Sequence, residues 1–242
     1  MRKSEANAAT DRRSVIEQAA AQIRERIKYG RLAPGQRLIE ADLIGQLLVS
    51  RSTIRAAFSQ LAAEGIITLE RNRGAHVRLL QVDEIQELYE LRAVLEGRAA
   101  GLVSERAEPA CLVEVRELDV RNKDFHDGGS FAEYWSFNEG LHRAILDWCG
   151  NDMLRRMAEQ TRTLTHHYHL QAAAQGDPGR PVSIDHACEQ HQAILEAILS
   201  GTPDAAERAM REHVRDNGRS IVAFLEAEQA ASTVRPLGRS LG

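Results

Sequence analysis

The sequence predicts a mainly α-helical protein in two parts, an N-terminal winged helix-turn-helix and a C-terminal antiparallel bundle of six helices, with seven as the alternative. Helical periodicity of the apolar residues covers most of the 242 residues, and one pair of short β-like runs interrupts it. Glycine and proline clusters separate the later helices at intervals typical of a bundle. The net charge also changes sign between the two parts.

The first helix is predicted from Ile16, Ala20, Ile23 and Ile27, which recur at helical spacing. Gly30 lies where this helix would end, because glycine readily adopts the left-handed conformation that follows a helix. The next stretch, LAPGQRL, contains a Pro-Gly pair, which is a turn signal.

A short second helix is predicted at about residues 40–48, and the stretch VSRSTIRAAFSQLAAEG forms the third. Ser50 is a good N-cap for the third helix, and Gly65 is a good residue to follow its C-terminus. The apolar stripe of this helix consists of Ile54, Ala57, Phe58 and Leu61. Arg51 and Arg55 therefore project from the exposed side, near the partial positive charge of the helix start. Such a site attracts anions, and DNA is one candidate.

The runs IITLE (66–70) and AHVRLL (75–80) flank RNRG (71–74), which predicts a β-hairpin with a basic tip. Three helices followed by a hairpin form a winged helix-turn-helix. The second helix of the turn unit then enters the DNA major groove. Arg71 and Arg73 at the hairpin tip are expected to contact phosphates or the minor groove.

The first part of the chain is basic and the second is acidic. Between Arg12 and Arg78 there are 12 lysines and arginines against 6 aspartates and glutamates, whereas from Leu79 to Gly242 there are 17 against 27. This asymmetry favours contact between the first part and a polyanion. The alternative is chance clustering of charge on a small domain.

From residue 82 onward the pattern is helical throughout. Helices are predicted near 83–105, 108–126, 130–149, 151–173, 182–200 and 203–228. We therefore predict a winged helix-turn-helix domain at 12–80 and a helical domain at 82–228. A disordered tail is expected at 1–11 and a flexible tail at 229–242.

The composition indicates the cellular compartment in which the protein works. No apolar run is long enough to span a membrane, and the N-terminus lacks the apolar segment of a secretory signal. The three cysteines form no CxxC pair, which is typical of a reducing compartment. The sequence therefore predicts a cytoplasmic protein without a membrane partner.

Three of the nine histidines have spacings that predict a common site. His142 lies four residues after Asn138, so both side chains share one face of a helix. His191 lies about ten residues before the SGTPD turn and His213 about nine after its aspartate, so both lie roughly 14–15 Å from the turn in an antiparallel helix pair. Three converging imidazoles suit a transition metal, with zinc or nickel favoured. The alternative is core histidines bonded to backbone or carboxylate groups.

Several stretches of the chain carry a family resemblance. In the first part these are YGRLAPGQRL (29–38), VSRSTIRAAFSQLAAEGII (49–67) and RNRGAHV (71–77). They resemble the GntR family of bacterial transcription regulators. In the second part they are LYELRAVLEGRAA (88–100), FNEGLHRAILDWCGNDML (137–154), EQHQAILEAILSGTPDAA (189–206) and His213. These are similar to the all-helical effector domain, FCD, of the FadR-like subfamily, and six effector helices resemble its VanR-type branch.

The resemblance implies which residues meet DNA. The base-reading arginines of the family correspond to Arg51 and Arg55. The positions implied to contact the DNA backbone are Ser50, Ser52, Thr53 and the wing tip near Gly74. Ala56 stands where the family often has an acidic residue, which leaves the operator sequence open.

For the helical part, the resemblance implies a metal site at the three histidines and an effector site beside it. Asn138 stands where the family usually has an aspartate, and a neutral amide is a weaker metal ligand than a carboxylate. Arg92, four residues before Glu96, is either an ordinary ion pair within a helix or an inward anchor for an anionic effector. The resemblance favours a small carboxylate as that effector.

The sequence therefore predicts a ligand-responsive DNA-binding transcription regulator that is not an enzyme. More narrowly, it predicts a homodimeric repressor that a carboxylate metabolite releases from double-stranded DNA. The first alternative is a metal-dependent enzyme with a helical catalytic domain, although no carboxylate stands at a spacing that marks a general base. The second is a regulator whose helical domain is purely structural.

Overall fold

A computed structural model of the chain describes residues 2–106, 108–125, 130–174 and 184–234. Its elements are α1 (Arg2–Lys28), β1 (Arg37–Leu38), α2 (Glu40–Leu47), α3 (Arg51–Ala63), β2 (Ile67–Glu70), β3 (Gly74–Val77), α4 (Val82–Arg106), α5 (Pro109–Asp124), α6 (Phe131–Trp148), α7 (Asp152–Ala174), α8 (Ile184–Leu199) and α9 (Pro203–Val234). The chain forms two compact units: the first contains the residues up to Leu80 together with His166–Gln171 of α7, and the second contains the other described residues from Gln81 onward. The predicted fold class, three helices and a hairpin followed by a bundle of six helices, is confirmed within these ranges.

In the first unit, α1 packs against α3. Ala20, Ile23 and Ile27 of α1 are buried, as their spacing predicts. Gly30 follows the helix with a φ of +69°, and this left-handed conformation is the reason that glycine suits the position. The apolar periodicity of the sequence therefore identified the packed face of α1 correctly.

Both predicted tails, 1–11 and 229–242, contain helix. α1 begins at Arg2 and α9 ends at Val234, so helix extends into both stretches, and the predictions of disorder and flexibility stay predictions. The two helical stretches are rich in alanine and contain neither glycine nor proline, so nothing within them interrupts a helix. The remaining tail residues lie outside the described ranges.

The turn unit of α2 and α3 has the start and end that the sequence predicts. Leu48 adopts a left-handed conformation after α2, and Ser50 starts α3 by accepting a hydrogen bond from the backbone N–H of Thr53. Gly65 follows α3 with a φ of +73°. The buried stripe of α3 includes Ile54, Ala57, Phe58 and Leu61. The predicted caps and buried face of α3 are therefore confirmed.

The wing is a three-stranded antiparallel sheet in the order β1-β3-β2. The predicted hairpin is confirmed as β2 and β3, with Thr68 opposite His76. The sequence did not predict β1, because LAPGQRL carries a strong turn signal. Leu38 is buried and lies opposite Ala75, and the backbone of Gly35 and Gln36 also hydrogen-bonds to Val77, so this short strand joins the wing through backbone pairing and a buried side chain.

In the second unit, the predicted bounds of the first five bundle helices differ from the observed ones by no more than two residues at either end. The end of the predicted 108–126 helix and the start of the predicted 182–200 helix extend outside the described residues. The assignment to the VanR-type branch stays a prediction. Within the part of the chain described here, no helix combines the length and the apolar character that a membrane crossing requires.

α4 and α9 approach each other closely because glycines lie at their contact. A Cβ atom on Gly97 of α4 would lie 2.5 Å from Cγ of Arg211, and one on Gly218 of α9 would lie 2.7 Å from Cβ of Tyr89. Both distances are shorter than a van der Waals contact, so any side chain at these positions would push the helices apart. The close packing of α4 and α9 therefore depends on these two glycines.

Replacing Gly218 with alanine is expected to lower the free energy of unfolding by about 1–3 kcal/mol. The new methyl group meets Cβ of Tyr89, an atom that cannot move without the backbone of α4, and Tyr89 is buried. Urea unfolding followed by far-UV circular dichroism measures the change. Gly140→Ala on α6 is the matched control, because a Cβ there meets nothing within 4 Å. The control should stabilise the protein by up to about 1 kcal/mol, and equal urea midpoints for the two variants would contradict the expectation.

Candidate DNA interface and metal centre

The start of α3 is built from three hydroxyl side chains. Oγ of Ser50 lies 3.1 Å from the backbone nitrogen of Thr53, and it is also 2.8 Å from the hydroxyl oxygens of Ser52 and Thr53. Thr53 is buried, whereas Ser50 and Ser52 are exposed. Of the three hydroxyl residues predicted to meet the DNA backbone, the two serines therefore face solvent, and Thr53 stabilises the helix start.

Arg51 and Arg55 project from the exposed side of α3, with 69% and 64% of their side chains exposed. Nε of Arg55 donates to Oε1 of Glu40 over 2.9 Å, and Nε of Arg51 lies 3.9 Å from Oε2 of the same carboxylate. The two predicted base-reading arginines thus face solvent together, and one glutamate from the start of α2 lies beside both.

The wing and α3 border one cleft of about 790 Å³. Its basic lining residues are Arg37, Arg51, Arg55 and Arg71. Gly74 also lines the cleft and has a φ of +90° at the turn of the wing. Arg73 is exposed, and its Nη1 lies 3.4 Å from Oε2 of Glu70. Of the predicted DNA-binding residues, Arg51, Arg55, Arg71 and Gly74 therefore line this cleft, whereas Ser50, Ser52, Thr53 and Arg73 are not among its lining residues.

The three histidines converge in the second unit. His142 of α6, His191 of α8 and His213 of α9 are buried, and one ring nitrogen from each lies within 4.8 Å of the others. Nε2 of His142 is 3.2 Å from Nε2 of His213. Two nitrogens bound to one tetrahedral ion at about 2.1 Å lie about 3.4 Å apart. The predicted convergence is confirmed, and the separation of the His142 and His213 nitrogens is close to that of two ligands of one metal ion.

Two of these imidazoles have their second nitrogen occupied. Nδ1 of His142 lies 2.6 Å from Oε2 of Glu96, and Nδ1 of His213 lies 3.0 Å from Oε1 of Gln190. When each Nδ1–H donates to its oxygen, each Nε2 carries a lone pair that faces the centre of the cluster. Outer carboxylate and amide partners of this kind orient metal-binding histidines.

His191 is the least satisfied member of the cluster. It is fully buried, and neither ring nitrogen has a hydrogen-bond partner among the described residues. An unpaired buried polar atom costs about 1–3 kcal/mol, so such atoms in a native protein need an explanation. A metal ion bound by the three imidazoles would satisfy one of the two nitrogens.

Burial favours the neutral form of the three histidines. It lowers the pKa of His191 and His213 well below the usual value, and the neighbouring imidazoles add to this effect. Burial also lowers the pKa of His142, although Glu96 opposes the shift. The neutral imidazole is the form that binds a metal.

Amide side chains lie beside the cluster. Asn138 is buried one turn before His142 on α6, as the sequence predicts. Asn217 of α9 was not predicted, and its Nδ2 lies 3.1 Å from Nε2 of His213. An amide presents either an oxygen or a nitrogen by a simple flip, so Asn217 can offer a neutral oxygen to the cluster.

Glu96 joins the histidine cluster to a buried ionic network. Oε1 of Glu96 accepts from Nε of Arg92 over 2.8 Å, and Oε2 accepts from Nη1 of Arg162 over 2.9 Å. Arg162 also donates to Glu139 over 2.7 Å. Burial by itself raises the pKa of Glu96, but the two guanidinium groups outweigh it and hold the pKa well below the usual value. Glu96 is therefore ionised.

Arg92 combines features of both interpretations that the sequence allows. It forms the ion pair with Glu96 one turn away, and it is also buried, with Nη1 donating to Thr165 over 2.9 Å and the guanidinium 4.8 Å from the ring of Tyr89. Its role as an effector anchor stays a prediction. Arg162 was missed because no local pattern separates a buried arginine from the many exposed ones.

An exposed arginine pair on a winged helix-turn-helix, together with a helical unit that holds a buried polar centre, is the arrangement of a DNA-binding regulator with a ligand domain. The sequence matches the gntR family of bacterial regulatory proteins over residues 15–77 and the FCD domain over residues 87–216. The chain therefore belongs to the GntR family, and it is a ligand-responsive DNA-binding transcription regulator.

Relatives and solved structures agree with this assignment. The chain is 32% identical over 194 residues to the Nta operon transcriptional regulator of Aminobacter aminovorans, which covers 72% of this chain and 92% of that protein. It is 29% identical over 212 residues to the probable D-xylose utilization operon transcriptional repressor of Paenarthrobacter nicotinovorans, with 85% and 90% covered. The structure of E. coli McbR/YncC matches with a TM-score of 0.73 at 21% identity, covering 89% of this chain and 98% of that one, which supports the fold alone.

Proposed function

We propose that the protein is a repressor that binds a two-fold operator as a homodimer and leaves it when a small carboxylate binds the helical unit. The observation that carries the DNA-reading part is the exposed pair Arg51 and Arg55 on a helix whose opposite face is buried. A guanidinium offers two parallel N–H donors to O6 and N7 of guanine, the most frequent base-specific contact in the major groove.

The other basic residues of the cleft have a different role in this proposal. Arg37 and Arg71 line the cleft beside the reading pair, and Arg73 extends from the tip of the wing. Contacts from such residues to phosphates set the register and orientation of a protein on DNA, while the base contacts provide specificity. The exposed hydroxyls of Ser50 and Ser52 add neutral donors to the same set of contacts.

The two-fold operator requires a second copy of the chain. One chain carries one recognition helix, whereas the half-sites of such an operator lie about one turn of DNA, roughly 34 Å, apart. We assign the contact between copies to the helical unit, where Leu91 and Val94 expose apolar side chains one turn apart on α4. We propose repression, and not activation, because the relative from Paenarthrobacter nicotinovorans is named as a probable repressor.

A divalent metal, zinc or nickel, would be held by Nε2 of His142, Nε2 of His213 and one nitrogen of His191. Asn138 would contribute a neutral amide oxygen as a fourth and weaker ligand. The support is the unpaired imidazole of His191 within a cluster of neutral, buried nitrogens. When bound, the ion supplies a fixed positive charge that can hold a carboxylate inside the helical unit.

The charge balance around this cluster favours an anionic effector. Arg92 and Arg162 are matched by Glu96 and Glu139 through direct ion pairs, so these four side chains carry no net charge. The imidazoles and the Asn138 amide are neutral. A divalent ion would therefore leave its charge uncompensated in a buried place, and a carboxylate is a suitable counter-ion.

The experiment that tests this function uses full-length protein without a histidine tag, loaded with zinc. Repeated selection from random double-stranded DNA should recover an inverted repeat, and light scattering should give the mass of two chains. A screen of organic acids should then find one that raises the melting temperature and weakens binding to the selected DNA. Binding without sequence preference, or a monomer at working concentration, would contradict the proposal. Turnover of simple esters or organic acids would support the enzyme alternative instead.

A further inference from the structure

Glu40 is the carboxylate closest to the predicted base-reading arginines. It is the first residue of α2, and its side chain is 32% exposed. Its two oxygens divide between the two arginines: Oε1 lies 2.9 Å from Nε of Arg55, and Oε2 lies 3.9 Å from Nε of Arg51. Within the described part of the chain, no other acidic group pairs with either arginine.

Glu40 contacts each guanidinium at its Nε edge. A guanidinium has an Nε edge and a terminal pair of Nη groups, and guanine is read by two parallel N–H donors. In Arg55 the Nε–H is committed to Glu40, while the Nη groups make no hydrogen bond within the described residues. The ion pair therefore leaves the reading end available and restricts the rotation of the side chain behind it.

We infer that Glu40 is a positioning residue for DNA reading, which holds the guanidinium of Arg55, and more weakly that of Arg51, with the Nη groups directed outward. The inference rests on the proposed role of these arginines. An unrestrained arginine loses rotamer entropy when it is fixed, and restraint before binding reduces this loss. Ala56, the residue after Arg55, cannot supply the carboxylate, so the restraint comes from α2.

The charge of Glu40 has a second effect, which acts on operator and random DNA alike. A carboxylate in the cleft repels phosphates and weakens binding to any DNA, which depends mainly on backbone charge. Glu40 therefore raises the ratio of operator affinity to random-DNA affinity only through the specific contact, because phosphate repulsion weakens both affinities by similar factors. A carboxylate that only blocked the arginines would lower operator affinity instead.

The test compares Glu40→Ala and Glu40→Gln with Asp42→Ala in full-length protein. Asp42 is an exposed carboxylate in the same first turn of α2, and the structure gives it no side-chain partner among the described residues. Its removal therefore makes the same change in charge and in helix-dipole interaction. Affinities for selected operator DNA and for random DNA are measured at one salt concentration, after melting scans show that each variant is folded.

Glu40→Ala is expected to bind random DNA more tightly and to lower the operator-to-random ratio by about tenfold. Glu40→Gln, which keeps a neutral acceptor, should lower the ratio by a smaller factor. Asp42→Ala should leave the ratio within about twofold of wild type. In an Arg55→Ala background, adding Glu40→Ala should change the ratio by less than about twofold, because the residue through which Glu40 acts is absent.

Three results would overturn the inference. They are an unchanged ratio in Glu40→Ala, a rise in operator affinity that exceeds the rise for random DNA, and equal effects of Glu40→Ala with and without Arg55. If wild-type protein itself shows no sequence preference, the proposed function fails, and that outcome is distinct from a failure of the Glu40 inference alone.

Discussion

Replacing Arg55 with alanine is expected to lower the preference for operator over random DNA by about 5- to 150-fold, and Arg51→Ala should have an effect in the same range. Both side chains are largely exposed on the face of α3 opposite its buried stripe. The substitutions therefore remove base contacts without disturbing the core. Competition binding with selected and random duplexes at fixed salt measures the change.

Arg31→Ala is the matched control for this experiment. Arg31 is an exposed arginine of the same unit that does not line the cleft. Its removal should change both DNA affinities by similar factors, because long-range charge acts on every duplex alike. If both cleft variants keep the wild-type ratio, α3 is not the recognition helix.

His191→Ala is expected to remove most of the stability that the metal provides. Binding of an ion to the native state at 100 times its dissociation constant stabilises that state by about 2.7 kcal/mol, and a hundredfold rise in the dissociation constant reduces the gain to about 0.4 kcal/mol. His191 supplies one of the three clustered imidazoles, and neither of its ring nitrogens has a hydrogen-bond partner among the described residues. Melting scans with and without zinc, together with elemental analysis, measure the loss.

Two further variants test whether the metal response depends on the histidine cluster itself. His186→Ala removes an exposed histidine from the same helix, α8, outside the cluster, so the metal response should stay at the wild-type level. Asn138→Asp should tighten metal binding, because a charged oxygen replaces a neutral one beside His142. Wild-type protein that neither takes up zinc, nickel or manganese nor gains melting temperature from them would leave the histidines as polar lining of the bundle.

Local chemistry made much of the DNA-binding unit predictable. Ser50 and Gly65 mark the two ends of α3 because capping and left-handed backbone depend on residues within a single turn. The exposed position of Arg51 and Arg55 follows from the 3.6-residue period of the buried stripe. The convergence of His191 and His213 was also predictable, because equal distances from one turn place side chains at the same level of a helix pair.

Contacts between side chains far apart in the sequence were decided only by the tertiary structure. Glu40 lies fifteen residues before Arg55, and Arg162 lies 66 residues after Glu96; in each pair the two residues belong to different helices, so no period within one element relates them. Which charged residue is buried, and beside which partner, depends on how helices pack, since packing alone removes water from one face and leaves it on another. The sequence by itself therefore determined the helices, their caps and the reading face, while the tertiary structure decided the carboxylate that holds the arginines and the ionic network that holds the histidines.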